Sequence, residues 1–143
     1  MSSLNLAILT ISDTRNLDDD TSGSFLVEAL QNAGHKLAGR EIVMDDIYII
    51  RAVVSKWVAD KNIHVVVTTG GTGFFGRDST PEAISCLLDK EIEGFGELFR
   101  ALSYKEIATS TIQSRALGGL ANNTAVFSLP GSTGACRTAW TGI

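Results

Sequence analysis

Apolar positions along this chain recur with two different periods, and the switches between them mark out its elements. Leu6-Ala7-Ile8-Leu9-Thr10-Ile11 is a short apolar run that predicts a strand buried on both faces. After the polar stretch 12–21, Phe25, Leu26, Ala29, Leu30 and Ala33 recur at helical spacing, and Gly34 sits where a helix C′ residue belongs. A second strand is expected over 36–44, and Ile50, Val53, Val54, Trp57 and Val58 form the next helical stripe. Val65-Val66-Val67, inside 63–69, is the clearest buried strand. A glycine-rich loop, 70–79, follows it. Thr80-Pro81 then predicts a helix with Thr80 as N-cap, Pro81 at the first helical position, and Ile84, Leu87 and Leu88 on its inner face.

Phe95, Leu98, Phe99 and Leu102 mark another helix. Residues 104–122 carry no clear period, and Thr109–Thr111 with Gly118-Gly119 argue for a break there. Ala125–Leu129 is the last strand, cut off by Pro130-Gly131, and a helix follows over 135–140. The order β-α-β-α-β-(α,α)-β-α predicts an α/β fold, a mostly parallel sheet covered by helices on both faces. Ligands of such sheets bind outside the carboxyl ends of the strands. Loops 12–21, 70–79 and 130–134 lie at those ends, and all three are rich in Gly, Ser, Thr and Asp.

Composition narrows the functional classes. The 143 residues suit a single domain, 1–143, and 44% hydrophobic with 20% charged residues argue against disorder. No apolar run approaches the ~18–20 residues of a membrane span, and Met1–Asn5 lacks the features of a signal peptide. A soluble, cytoplasmic domain is expected. The net charge of −4 does not suit a nucleic-acid binder, so an anionic ligand must meet local arginines or backbone N–H groups. Cys86 and Cys136 are too few for a disulfide scaffold and lack zinc spacing. Cys136, with no histidine near it in sequence, reads as structural, as do His35 and His64 at predicted strand starts.

Gly70-Gly71-Thr72-Gly73, directly after the Val65–Val67 strand, offers backbone N–H groups with little steric cover, a cradle for phosphate. Residues 71–76 also match G-x-G-x-x-G, but Arg77, Asp78 and Ser79 intervene before the helix, so the dinucleotide reading fails. No G-K-[ST] is present either. Asp78 either caps the helix at Thr80 or holds Mg²⁺ beside the phosphate loop. Asp45-Asp46 is likewise either a helix cap or a paired carboxylate at the same sheet edge. Asp18-Asp19-Asp20 reads as a solvated loop, with Asp20 just before a helix start. Ser114-Arg115 and Pro130-Gly131-Ser132-Thr133-Gly134 add hydroxyls, one guanidinium and free N–H groups.

Together these segments resemble the MoaB/MogA family of molybdenum-cofactor biosynthesis proteins, most closely its MoaB branch. The matching signatures are Thr10-Ile11-Ser12-Asp13, Asp20-Thr21-Ser22-Gly23, Thr68-Thr69-Gly70-Gly71-Thr72-Gly73 and Arg77-Asp78-Ser79-Thr80-Pro81-Glu82-Ala83. Gly94-Phe95-Gly96-Glu97, Ser114-Arg115 and Leu129-Pro130-Gly131-Ser132 follow in family order. The resemblance implies a three-layer α/β/α fold assembled as a homo-oligomer, trimer or hexamer. It also implies molybdopterin as substrate, and for adenylyltransferase members ATP as co-substrate with Mg²⁺. By position Asp45 and Asp78 match the family's two essential, metal-holding aspartates, and Ser103 a serine that assists catalysis. Ser12, Thr72, Ser114, Pro130, Gly131 and Ser132 fall where the pterin and its phosphate bind; Asp20, Gly70, Gly71, Thr72 and Gly73 fall toward the nucleotide, and Arg115 is a further substrate-binding residue. A carrier or scaffold would need the pterin loops but no metal carboxylates, so the presence of both Asp45 and Asp78 favours an enzyme. Family members usually continue past the Ala135–Trp140 helix, so a truncated C-terminal tail is expected here.

Overall fold

The computed structural model describes residues 2–143. Four parallel strands form its centre: β1 (Asn5–Ile11), β2 (Lys36–Val43), β3 (Val65–Thr69) and, last in the chain, β6 (Thr124–Leu129). Two antiparallel strands, β4 (Lys90–Glu91) and β5 (Leu117–Ala121), extend the edge beside β6, giving the order β2-β1-β3-β6-β5-β4. The helices are α1 (Thr21–Asn32), α2 (Ile47–Ala59), α3 (Thr80–Ser85), α4 (Glu93–Ile107) and α5 (Thr133–Gly142). A 3-10 turn over Ala108–Gln113 follows α4. Among the described residues no helix is long and apolar enough to cross a membrane.

The expected α/β/α layering follows from side-chain alternation along the central strands. Ala7, Leu9, Ile11 and Val66 point to one face, where Ile50, Val54 and Trp57 of α2 and Ile84 of α3 close over them. Leu6, Ile8 and Val67 point to the other, under Leu26 and Leu30 of α1, Phe99 of α4 and Cys136 of α5. Leu26, Leu30, Ile50, Val54 and Phe99 are fully buried. Each such side chain contributes about 1.5–3 kcal/mol relative to an exposed one.

The region without a clear period, 104–122, holds the end of α4, the 3-10 turn and β5. Gly118-Gly119 is not a break but the middle of β5. A Cβ on Gly118 would lie 2.8 Å from the Phe127 ring, and one on Gly119 2.6 Å from both Leu88 and the Lys90 carbonyl. The strand is glycine-rich because neighbours crowd it on both faces. Asn122 and Asn123, both with positive φ, close the two-residue hairpin into β6. Helix α3 also starts one residue earlier than expected, with Ser79 in the N-cap position. Thr80 is already helical, and its hydroxyl donates to the Gly70 carbonyl at 2.9 Å. Both histidines act structurally: Nδ1 of His64 accepts from Asn5 N at 2.9 Å, and Nδ1 of His35 from Leu4 N at 3.3 Å.

Candidate functional site

Because β1, β2, β3 and β6 run parallel, the segments that follow them emerge on one edge, and the chain diverges between β1 and β3, the crevice where such sheets bind ligands. Loops 12–21, 70–79 and 130–134 converge there. Gly70 N donates to the Leu129 carbonyl at 2.9 Å, and the Thr69 hydroxyl to the Pro130 carbonyl at 3.1 Å. Gly131 lies against Gly70, whose Cα would be 3.3 Å from an added Cβ.

The glycines let two carboxylates approach the loop backbone. Gly71 has φ of +69°, and a Cβ there would sit 2.3 Å from Thr80 Oγ1 and 3.0 Å from Asp45 Oδ2. A Cβ on Gly73 would sit 2.6 Å from Asp78 Oδ2. Neither carboxylate has room for a side chain in front of it.

The Asp45-Asp46 pair divides its labour. Asp46 caps α2, its Oδ1 accepting from Tyr48 N at 2.9 Å and Ile49 N at 3.0 Å. Asp45 turns to the glycine-rich loop instead, its Oδ1 accepting from the amide of Ser79 at 3.1 Å and from the Ser79 hydroxyl. Asp78 does not cap α3. Its Oδ2 accepts from Phe75 N at 2.9 Å while its own N donates back to the Phe75 carbonyl at 2.9 Å, closing the turn 75–78. Asp45 Oδ2 and Asp78 Oδ1 accept no hydrogen bond from the described residues. Both aspartates line one open cleft of 540 Å³, together with Phe75, Arg77, Ser79 and Arg115.

Two further residues build this geometry. Asp13 receives a two-pronged ion pair from Arg77, Nε to Oδ2 and Nη2 to Oδ1, both 2.8 Å, and its Oδ1 also accepts from Asp45 N at 3.1 Å. The Arg77 guanidinium, then the Asp45 amide, hold the Asp13 carboxyl below its ordinary range. Asp13 was visible only as the last letter of a motif. Nothing in the sequence pairs it with a residue so far along the chain. Arg115 reaches into the loop with its whole fork. Nε donates to the Gly73 carbonyl at 2.9 Å, Nη2 to the Asp78 carbonyl at 2.7 Å, and Nη1 pairs with the Glu82 carboxylate. That pairing holds the Glu82 carboxyl below its ordinary range.

The other expected site residues occupy varied settings. Ser12 Oγ accepts from Thr14 N and Arg15 N, at 3.2 and 3.1 Å, and so shapes loop 12–21. Thr72 is buried, and its carbonyl accepts from Arg115 N at 3.2 Å. Ser132 caps α5, its Oγ accepting from Ala135 N at 3.1 Å. Asp20 is not a solvated loop residue. It is buried as the cap of α1, with Oδ1 accepting from Gly23 N at 3.1 Å and Oδ2 from the Thr10 hydroxyl at 2.8 Å and Arg40 Nη2 at 3.3 Å. Ser114 is buried beside the loop, its carbonyl accepting from Arg100 Nη1 at 3.3 Å. Ser103 is buried on α4 and does not line the cleft of Asp45 and Asp78. Cys136 is buried as expected, its Sγ donating to Thr69 Oγ1 at 3.4 Å, and burial pushes the thiol up to about 11.

A family described as "Probable molybdopterin binding domain" matches residues 7–143, all but the first two residues of the sheet and every loop of this edge. The chain belongs to that family. Molybdenum cofactor biosynthesis protein B of Escherichia coli (strain K12) is 54% identical over 138 residues, covering 96% of this chain and 81% of that protein. A crystal structure of molybdenum cofactor biosynthesis protein B superposes with a TM-score of 0.96 at 49% identity, over 99% of this chain and 89% of the other. A tungsten cofactor synthesizing protein MoaB from Pyrococcus furiosus gives 0.88 at 36% identity, over 98% and 89%. The resemblance to MoaB read from the motifs is therefore correct, and so is the α/β/α fold it implied. Every loop contact described above lies inside the segment matched to the molybdopterin-binding family.

Proposed function

We propose that this chain acts in molybdenum-cofactor biosynthesis, binding molybdopterin and joining AMP from ATP to its terminal phosphate. A phosphate oxygen of molybdopterin forms the new bond to the α-phosphorus of ATP, and the bond from that phosphorus to the departing pyrophosphate breaks. The observation that carries the reading is the pair Asp45 and Asp78, each with one oxygen that no described residue engages, facing one cleft beside the glycine-rich loop.

This donor set suits Mg²⁺. No group of three metal-ligating side chains exists among the described residues, but Mg²⁺ takes one or two carboxylates and completes its shell with phosphate oxygens and water. Asp45 Oδ2 and Asp78 Oδ1 would hold it. When bound, the ion neutralises charge on the phosphates. In this reading the backbone N–H groups of Gly71, Thr72 and Gly73 bind phosphate oxygens, while that of Gly70 is held by the Leu129 carbonyl. Ser12, Ser114, Pro130, Gly131 and Ser132 serve the pterin side. Arg115, its fork committed to loop carbonyls and Glu82, positions the loop rather than gripping substrate. Asp20 supports the base of the site from within, because both its oxygens are engaged by the protein.

One observation favours a second reading, a molybdopterin carrier or scaffold: Ser103 stands apart from the cleft. Incubation with molybdopterin, ATP and Mg²⁺, followed by measurement of pyrophosphate and adenylylated pterin, separates the two. The transferase reading expects both products. Tight pterin binding without turnover establishes the carrier.

The oligomer is part of the same proposal. Leu98, Tyr104 and Ile107 of α4 and Ile112 beyond it are exposed, and this apolar set suits contact between copies in a trimer or hexamer. Light scattering at micromolar concentration checks this; a monomer overturns it.

A further inference from the structure

Phe75 is the most exposed large apolar side chain among the described residues, at 83%, and it stands on the rim of the cleft that holds Asp45 and Asp78. Its neighbour Phe74 is also exposed but leans on the protein, with the Arg115 guanidinium 6.0 Å from its ring centre. Phe75 has no such aromatic or cationic partner among the described residues. Its backbone, by contrast, is fixed. Phe75 N donates to the Asp78 carboxylate and the Phe75 carbonyl accepts from Asp78 N, both at 2.9 Å. The two ends of such a turn lie within ~7 Å of each other. The turn therefore fixes the backbone that carries this bare apolar ring close to the backbone that carries a carboxylate of the cleft.

A ring placed so is of no use to the fold, since it buries almost nothing. It is of use to a ligand whose charged end sits at the carboxylates and whose flat end projects outward. We propose that Phe75 is a stacking platform for the heteroaromatic ring of a phosphorylated substrate, the purine of ATP or the pterin of molybdopterin. This inference rests on the reading of the cleft as the substrate site. Stacking supplies affinity through the ring face and tolerates different heteroaromatics, because each presents a π-surface. The glycine-rich loop would then carry both functions: N–H groups for the phosphate at 71–73, and a ring for the ring at 75.

The test uses the full chain, with binding measured by calorimetry for three probes: ATP with Mg²⁺, molybdopterin, and inorganic tripolyphosphate with Mg²⁺, which has phosphates but no ring. Phe75→Ala is expected to weaken one ring-bearing probe by roughly 5- to 100-fold, the span that loss of one stacked ring produces. Tripolyphosphate binding should be unchanged, and Phe75→Tyr and Phe75→Trp should restore the affinity. Loss confined to ATP assigns the purine, and loss confined to molybdopterin assigns the pterin. Unchanged affinity for both ring-bearing probes overturns the proposal. So does equal weakening of tripolyphosphate, which would mean that the loop itself had collapsed. A drop in oligomeric state of Phe75→Ala on light scattering also overturns it, since the ring would then serve contact between copies. A wild-type chain that binds molybdopterin but not ATP refutes the transferase reading, and the molybdopterin arm alone then decides the stacking.

Discussion

Arg115 donates through Nη2 to the backbone carbonyl of Asp78 at 2.7 Å, joining the end of the 3-10 region to the turn that presents a cleft carboxylate. With Nε on Gly73 and Nη1 on Glu82, one guanidinium ties two points of the loop to helix α3. Lysine keeps the charge but cannot reproduce the planar fork. Arg115→Lys is expected to lower stability by about 1–3 kcal/mol. It should also speed proteolysis within 70–79. Urea denaturation and limited digestion check both, and a variant indistinguishable from wild type would remove Arg115 from its positioning role.

Asp78→Asn separates the charge of that residue from its place in the turn. An amide oxygen can still accept from Phe75 N, so stability should change by less than about 1 kcal/mol. Under the transferase reading, Mg²⁺-dependent turnover should fall about a hundredfold or more while molybdopterin binding persists. Equal turnover by wild type and variant would take the metal away from Asp78.

The loop should loosen in acid. Glu82 is held below its ordinary value of 4.5, chiefly by the hydrogen bond from Arg115, and Asp13 is lowered chiefly by Arg77. A carboxyl lowered in the folded state contributes stability that is present above its ordinary value and lost as pH falls through the lowered one. Stability measured by urea midpoint is therefore expected to decline below pH 4.5. Glu82→Gln, which has no charge to lose, should show a shallower decline; an identical pH profile would disconnect the pair from acid stability.

The two cysteines should react very differently. Cys86 is exposed, whereas Cys136 is buried with its thiol raised to about 11 by burial. At pH 8 a thiol reagent should titrate one group per native chain rapidly, and the second only on unfolding. The raised value also has a stability consequence. Cys136 favours the fold fully below 9.0 and loses that contribution as pH rises toward 11. Two fast thiols, or no alkaline difference between wild type and Cys136→Ala, would contradict this assignment.

Much of the architecture was legible in residue order because local physics dictates it. Apolar runs of Val and Ile could only be buried parallel strands once helical stripes separated them, and Pro130-Gly131 had to end the last strand. The same parallel order forced the three polar loops to a common edge, so the cleft was predictable as a place. What the chain order could not show was which polar group meets which. Asp45 and Asp46 are equivalent as neighbours in sequence, yet one caps α2 and the other receives Ser79 from a loop 34 positions away. Asp78, just before Thr80-Pro81, is open to two readings, helix cap or metal ligand, and its oxygen goes back to Phe75 rather than to the helix. Gly118-Gly119 reads as a break, but packing against Phe127 and Leu88 makes it a strand. In each case the local sequence left more than one arrangement open. The choice fell to contacts between segments distant in sequence, which exist only after the sheet has brought them together.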